Sequence, residues 1–175
     1  MRLRMTLIFA AAGVMFISGC CLRFSDQASN AVFNVGDTIT TSGTDIAVEQ
    51  FQYANGTWTS DGSARVDTSQ YSGGSGKDLN ARNVNLRFMF DYPVDKITLK
   101  FGELGGNNNI KVNNDFRNVQ DLVSLNGNTV GGAQVTVSAV QQGNNWYGDM
   151  AIEGAIDNFV IGGQELWLDD ICPIK

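Results

Sequence analysis

The chain has 175 residues with 18 acidic and 12 basic side chains, no histidine and a formal charge of −6. Without histidine, Ser-His-Asp and Cys-His catalysis in their usual forms are excluded, as is every histidine-containing metal site. The acidic balance and the lack of a long basic run argue against nucleic acid as a partner.

The N-terminus carries Arg2 and Arg4, then an apolar run that ends on Ile17-Ser18-Gly19 before Cys20. A basic start, an apolar stretch of about 12 residues and small residues before a cysteine form an export signal over 1–19. A membrane-spanning helix needs roughly 20 apolar residues, more than this run supplies. Ile17-Ser18-Gly19-Cys20 resembles a bacterial lipobox. The resemblance implies cleavage before Cys20, its thioether lipidation, and a lipoprotein of the cell envelope. Cys21, in place of Asp, follows the lipidated residue, which leans towards the outer membrane. Loss of 1–19 removes Arg2 and Arg4 and leaves 10 basic against 18 acidic side chains, a charge of −8. Attraction to anionic lipid is then weak, and the acyl chains do the anchoring.

Cysteine parity fits that reading. With Cys20 lipidated, Cys21 and Cys172 remain, either as one bridge across nearly the whole mature chain or as two unpaired thiols. The organisation expected is a lipidated N-terminus and short tether over 20–30, then one domain over 31–175.

From residue 31 the pattern is period-two alternation. AVFNV and DTITTSG form a pair around Gly36-Asp37. DIAVEQFQY shifts its apolar phase between Val48 and Phe51, which predicts a bulge. Asn55-Gly56 and Asp61-Gly62 are turn signals. QYSGGSGKDLNARN (70–83) reads as one glycine-rich loop, either binding or mobile. Val84, Leu86, Phe88 and Phe90 share a face, as do Ile97, Leu99 and Phe101, with a hairpin corner at Tyr92–Asp95. NIKVN, a weaker DLVSL, AQVTVSAV, WYGDMAIEG, DNFVIGG and ELWLDDI follow. TVGGAQVTV and VIGGQELWL echo each other, each Gly-Gly suiting a tight turn before a strand. About ten to twelve short strands predict an all-β fold, a single antiparallel, jelly-roll-like β-sandwich.

Several residues are candidates for chemistry. Asp149 and Glu153 are four apart on one strand, some 13 Å along it at about 3.3 Å per residue. A carboxylate-pair glycoside hydrolase would need 5–10 Å, and a solvated strand face produces the same pattern. Asn107, Asn108 and Asn109 are first of all turn formers; as an exposed cluster they would offer amides to sugar hydroxyls. Trp58, after the Asn55-Gly56 turn, Tyr71 and Tyr147 are the aromatics expected at the surface as stacking platforms, whereas Trp146 shares a face with Met150 and Ile152 and belongs to the core.

In ELWLDDI both faces are largely apolar, so one of Asp169 and Asp170 is expected away from free water, held by backbone N–H groups, by arginine or by a cation. This closing strand resembles the last strand of carbohydrate-binding jelly-roll modules. The resemblance implies a structural calcium at Asp169 or Asp170, with Asp37 or Glu49 from the N-terminal strands, an oxygen-only ligand set that suits the ion. Compartment, fold class and the missing catalytic residues together lead to a non-catalytic glycan-binding or surface-interaction module. Its ligand would be a polysaccharide; the alternative is a structural lipoprotein that binds another envelope protein.

Overall fold

The computed structural model describes residues 21–59 and 61–175. The export segment 1–19 and Cys20 lie outside the described residues. The strands are β1 (Val32–Asn34), β2 (Thr38–Thr41), β3 (Thr44–Gln50), β4 (Ser63–Asp67), β5 (Asp78–Arg82), β6 (Val84–Met89) and β7 (Val94–Glu103). They continue with β8 (Asn108–Val112), β9 (Asp115–Val119), β10 (Thr129–Val130), β11 (Ala133–Gln142), β12 (Asn145–Ile156), β13 (Phe159–Gly163) and β14 (Leu166–Ile174). They build an antiparallel β-sandwich. One sheet has eight strands in the order β1-β4-β5-β14-β7-β12-β11-β10, the other six in the order β2-β3-β6-β13-β8-β9.

Alternation decides what fills the space between the sheets. Val84, Leu86 and Phe88 of β6, Ile97, Leu99 and Phe101 of β7, and Met150 and Ile152 of β12 are all buried in one continuous core. Each such side chain contributes roughly 1.5–3 kcal/mol when fully buried. Residues of opposite parity turn outward, so each sheet carries a second, outer face.

Pairing departs from the order of the chain. β1 joins β4 in the large sheet while β2 joins β3 in the small one, so Gly36-Asp37 is a crossing between sheets and not a hairpin. The Tyr92–Asp95 corner likewise crosses, from β6 to β7, and β13 and β14 separate the same way. Alternation records which face a residue takes but not which strand lies beside it, and a short corner serves either route. DLVSL is not a strand; Leu122–Leu125 forms a 3-10 turn that buries Leu122 and Leu125. The expected bulge before Phe51 is the end of β3, after which the chain makes a small hairpin closed by the Gln52–Trp58 bridge. Only one of the two Gly-Gly pairs is a turn. Gly131 and Gly132 have φ of 57° and 87°, whereas Gly162 and Gly163 lie within β13.

The described part of the expected tether belongs to the domain. Leu22 and Phe24 are buried, Leu22 exchanges backbone hydrogen bonds with Ile171 at 2.8 and 3.1 Å, and Cys21 is disulfide-bonded to Cys172. The bridge expected from cysteine parity is therefore present.

Candidate functional site

The outer face of the six-stranded sheet holds a concavity with a mixed polar and apolar lining. Register creates it. Asn85 pairs with Gly162, Gly162 with Asn109, and Asn109 with Asn118, placing three amides in one row across β6, β13, β8 and β9. Asn109 Nδ2 donates to Asn85 Oδ1 at 3.2 Å, and Asn118 Nδ2 donates to Asn109 Oδ1 at 2.7 Å. The row's ends hold the hairpin that follows β3. Asn85 Nδ2 donates to the Gln50 carbonyl at 2.8 Å, and Asn118 Nδ2 to the Gln52 carbonyl at 2.9 Å. That hairpin carries Trp58.

Glycine is required at the centre of this row. A Cβ on Gly162 would run into the Val84 carbonyl and lie 2.6 Å from Asn85 Oδ1. Gly162→Ala is expected to cost about 1–3 kcal/mol through that overlap. Urea unfolding checks it; an unchanged midpoint would mean that the amide row tolerates a methyl group.

Trp58 is 53% exposed and its ring tilts at 35° against Phe116, with centroids 6.2 Å apart. Beside this aromatic wall, a groove of about 370 Å³ is lined by Glu49, Asn85, Arg87, Lys111, Asn158 and Val160 as well. Arg87 Nη2 contacts Glu49 Oε1 at 2.7 Å, and both side chains remain substantially exposed. The groove thus offers one open aromatic face, charged donors and acceptors, and a floor that includes Asn85 and Val160. Such a combination suits a polar ring with apolar C–H faces.

The sequence candidates divide among separate regions. Trp58 and Glu49 line this groove, and Asn109 belongs to the amide row beneath it. Asn109 and Asn108 are buried, contrary to the expected exposed amide cluster, because both lie within β8 and pair across the sheet. Asn108 Nδ2 donates to the Gln120 carbonyl at 3.2 Å, while half-buried Asn107 donates its backbone N–H to Gln164 at 2.8 Å. Tyr71 and Tyr147 lie with the eight-stranded sheet. Tyr71 is 47% exposed and meets Trp167 edge-on at 5.2 Å; Tyr147 is half-buried and pairs with Gly102.

The four carboxylates considered for calcium do not converge, and among the described residues no three acidic or thiol groups form a set that could hold a metal. Asp37 accepts the Asn34 backbone N–H at 2.7 Å, and Glu49 is engaged by Arg87. Asp169 is fully buried and accepts the Gly76 N–H at 2.8 Å, and Asp170 accepts from Arg23 Nε and Ser75, both at 2.8 Å. The Gly76 N–H thus meets one oxygen of Asp169 and arginine meets Asp170, while Asp169 Oδ1 is buried with no hydrogen-bond partner among the described residues. A bulge between Asp169 and Cys172, with Asp170 at φ 46°, shifts the phase and turns Ile171 into the core. Asp149 and Glu153 face outward against cross-strand lysines, Lys100 at 2.7 Å and Lys96 at 3.5 Å.

Two buried carboxylates escaped the sequence reading. Asp78 opens β5 inside the stretch read as one loop, and Glu103 closes β7. Residues 69–77 fold back over the outer face of the large sheet, so closely that a Cβ on Gly102 would strike the Tyr71 carbonyl. Asp78 lies beneath this cover, accepting Ser72 N–H at 2.9 Å and Ser72 Oγ–H at 2.7 Å. Burial pushes its pKa up to about 6 against those hydrogen bonds, and the charge of Asp169 adds to the rise. Glu103 accepts the Leu122 N–H at 3.0 Å, and burial pushes it up to about 7, with Asp121 adding to the rise. No local pattern marks either residue, since both depend on what folds over them. No protein-family model matches the chain, and no curated protein or solved structure matches it either.

Proposed function

We propose that this protein is a non-catalytic glycan-binding module, exported and held at the bacterial envelope by lipid on Cys20, with its ligand in the Trp58 groove. The observation that carries the reading is Trp58: a large apolar ring, more than half exposed, braced by Phe116 beside a polar, charged groove. An exposed indole braced in this way is already ordered, so stacking a sugar on it costs little further side-chain entropy. Arg87, Glu49, Lys111 and Asn158 supply hydrogen-bonding groups for ring hydroxyls.

The anchoring follows from the lipobox pattern that ends at Cys20. With Cys21 clasped to Cys172, the first described residue is tied to the domain, and the lipid is expected to hold the sandwich close to the membrane surface. Mass spectrometry of the N-terminal peptide tests this part; an unmodified chain that retains residues 1–19 would overturn it.

Affinity electrophoresis of the folded, detergent-solubilised chain through gels containing soluble polysaccharides tests the binding. Trp58→Ala is expected to weaken retention at least about tenfold while leaving the melting temperature nearly unchanged, because the side chain is an anchor but not core. Tyr147→Ala, on the other sheet, is expected to bind as the parent does. Equal retention of the parent and Trp58→Ala would overturn the proposal.

A further inference from the structure

Register puts two cations astride the groove. Val160 of β13 pairs with Arg87 of β6 on one side and with Lys111 of β8 on the other. Two inter-strand steps separate Arg87 from Lys111, a backbone distance of about 9–10 Å, with Val160 between them on the groove floor. Long side chains from both positions can close on one small anionic group above Val160.

The two differ in what already engages them. Arg87 gives one nitrogen to Glu49 and keeps the remaining donors of its fork, with 45% of its side chain exposed. The Lys111 side chain forms no hydrogen bond or ion pair among the described residues. Counting Glu49, the charged lining of the groove sums to one net positive charge, in a chain whose overall charge is −6. At physiological ionic strength charges separated by more than about 8 Å are largely screened, so the diffuse acidic field weakens at contact range while the two cations still act.

We infer that the groove takes an acidic glycan, a polyuronate-type chain. One of its carboxylates sits between Arg87 and Lys111 while a neighbouring ring stacks on Trp58. This rests on the glycan-binding reading and adds the ligand class to it. Lys111 is the specificity-determining residue: its ammonium is uncommitted, and a carboxylate contact to it joins opposite charges in a hydrogen bond ionised on both sides, which a neutral sugar cannot do. Arg87 fixes the orientation of that carboxylate through the donors that Glu49 leaves free.

The test uses the folded full chain in detergent, with polygalacturonate and alginate as acidic probes and pullulan and a soluble β-glucan as neutral ones. The expected result is preferential retention by the acidic polymers. Lys111→Gln should weaken that retention about tenfold, and the preference should shrink as salt is raised. Arg87→Gln together with Glu49→Gln, which removes the ion pair as a unit, should weaken it as well. Neutral polymers retained as strongly as acidic ones, with Trp58→Ala abolishing retention and Lys111→Gln leaving it unchanged, would overturn the acidic assignment and leave the glycan-binding reading intact. Retention by neither class would overturn both. Retention by acidic polymers that ignores both Trp58→Ala and Lys111→Gln would place the binding elsewhere, and overturn both as well. Circular dichroism on each variant confirms that the sandwich has formed.

Discussion

Removal of the Cys21–Cys172 disulfide, by Cys21→Ser with Cys172→Ser, is expected to lower the unfolding free energy by about 3–5 kcal/mol. The bridge spans a sequence separation of 151, so it constrains almost the whole described chain in the unfolded state. The chain-entropy account gives up to about 5 kcal/mol for a loop of that length, and native disulfides of small exported domains deliver about 2–5. Part of the clasp survives without the sulfurs. Leu22 and Ile171 keep their backbone pairing, Phe24 stays in the core, and Arg23 keeps its contact with Asp170. The variant should therefore fold but melt roughly 10 °C lower, at about 2–4 °C per kcal/mol for a domain of this size. Chemical denaturation with and without reductant checks it. A midpoint insensitive to both would show that the Leu22–Ile171 pairing alone fixes the termini.

Stability is expected to rise as the pH is lowered from 8 to 5. Asp78 and Glu103, raised to about 6 and about 7 by burial, bind protons in the folded state that the unfolded chain releases near pH 4. Stability rises with pH only where the unfolded state binds more protons; here the folded state binds more between pH 4 and 7. Their contribution is fully present below the unfolded values and is lost as pH rises through 6 and 7. The domain should be of order 2–4 kcal/mol more stable at pH 5 than at pH 8. Asp26, Asp67 and Asp115 have lowered values and act in the opposite sense, below pH 4. Glu103→Gln keeps an acceptor for the Leu122 N–H and removes the titration, so it should flatten the upper part of the profile. A profile with its maximum at pH 8, or a slope unchanged in Glu103→Gln, would show that these carboxylates stay ionised.

The candidate site was partly legible beforehand. Trp58 follows Asn55-Gly56, and a large aromatic just after a tight turn has little around it to cover it. Phe116, which braces Trp58, carries no such mark, because the two are far apart in the chain and meet where Asn85 and Asn118 hold the hairpin against the sheet. The asparagines misled for a related reason. Asn is first a turn former, and Asn113 does turn at φ 54°. Asn85, Asn109 and Asn118 instead bond one another across strands, a use that appears only when their register is known.

Period-two alternation is a local property of the backbone, so composition and sequence alone determined the all-β class and the core positions from Val84 to Phe101, whereas they left Cys21 and Cys172 open between a bridge and two free thiols until the fold brought them together. A residue's face follows from its parity, whatever its neighbours. Which strands lie side by side is decided by long-range contacts, and only the tertiary structure supplied them: the sheet switches at Gly36-Asp37 and Tyr92–Asp95, the cover that 69–77 lays over Asp78, and the row that brings Arg87, Val160 and Lys111 together beneath Trp58. Cross-strand neighbours sit about 4.8 Å apart in space however far apart they are in the chain, and the groove is made of such neighbours.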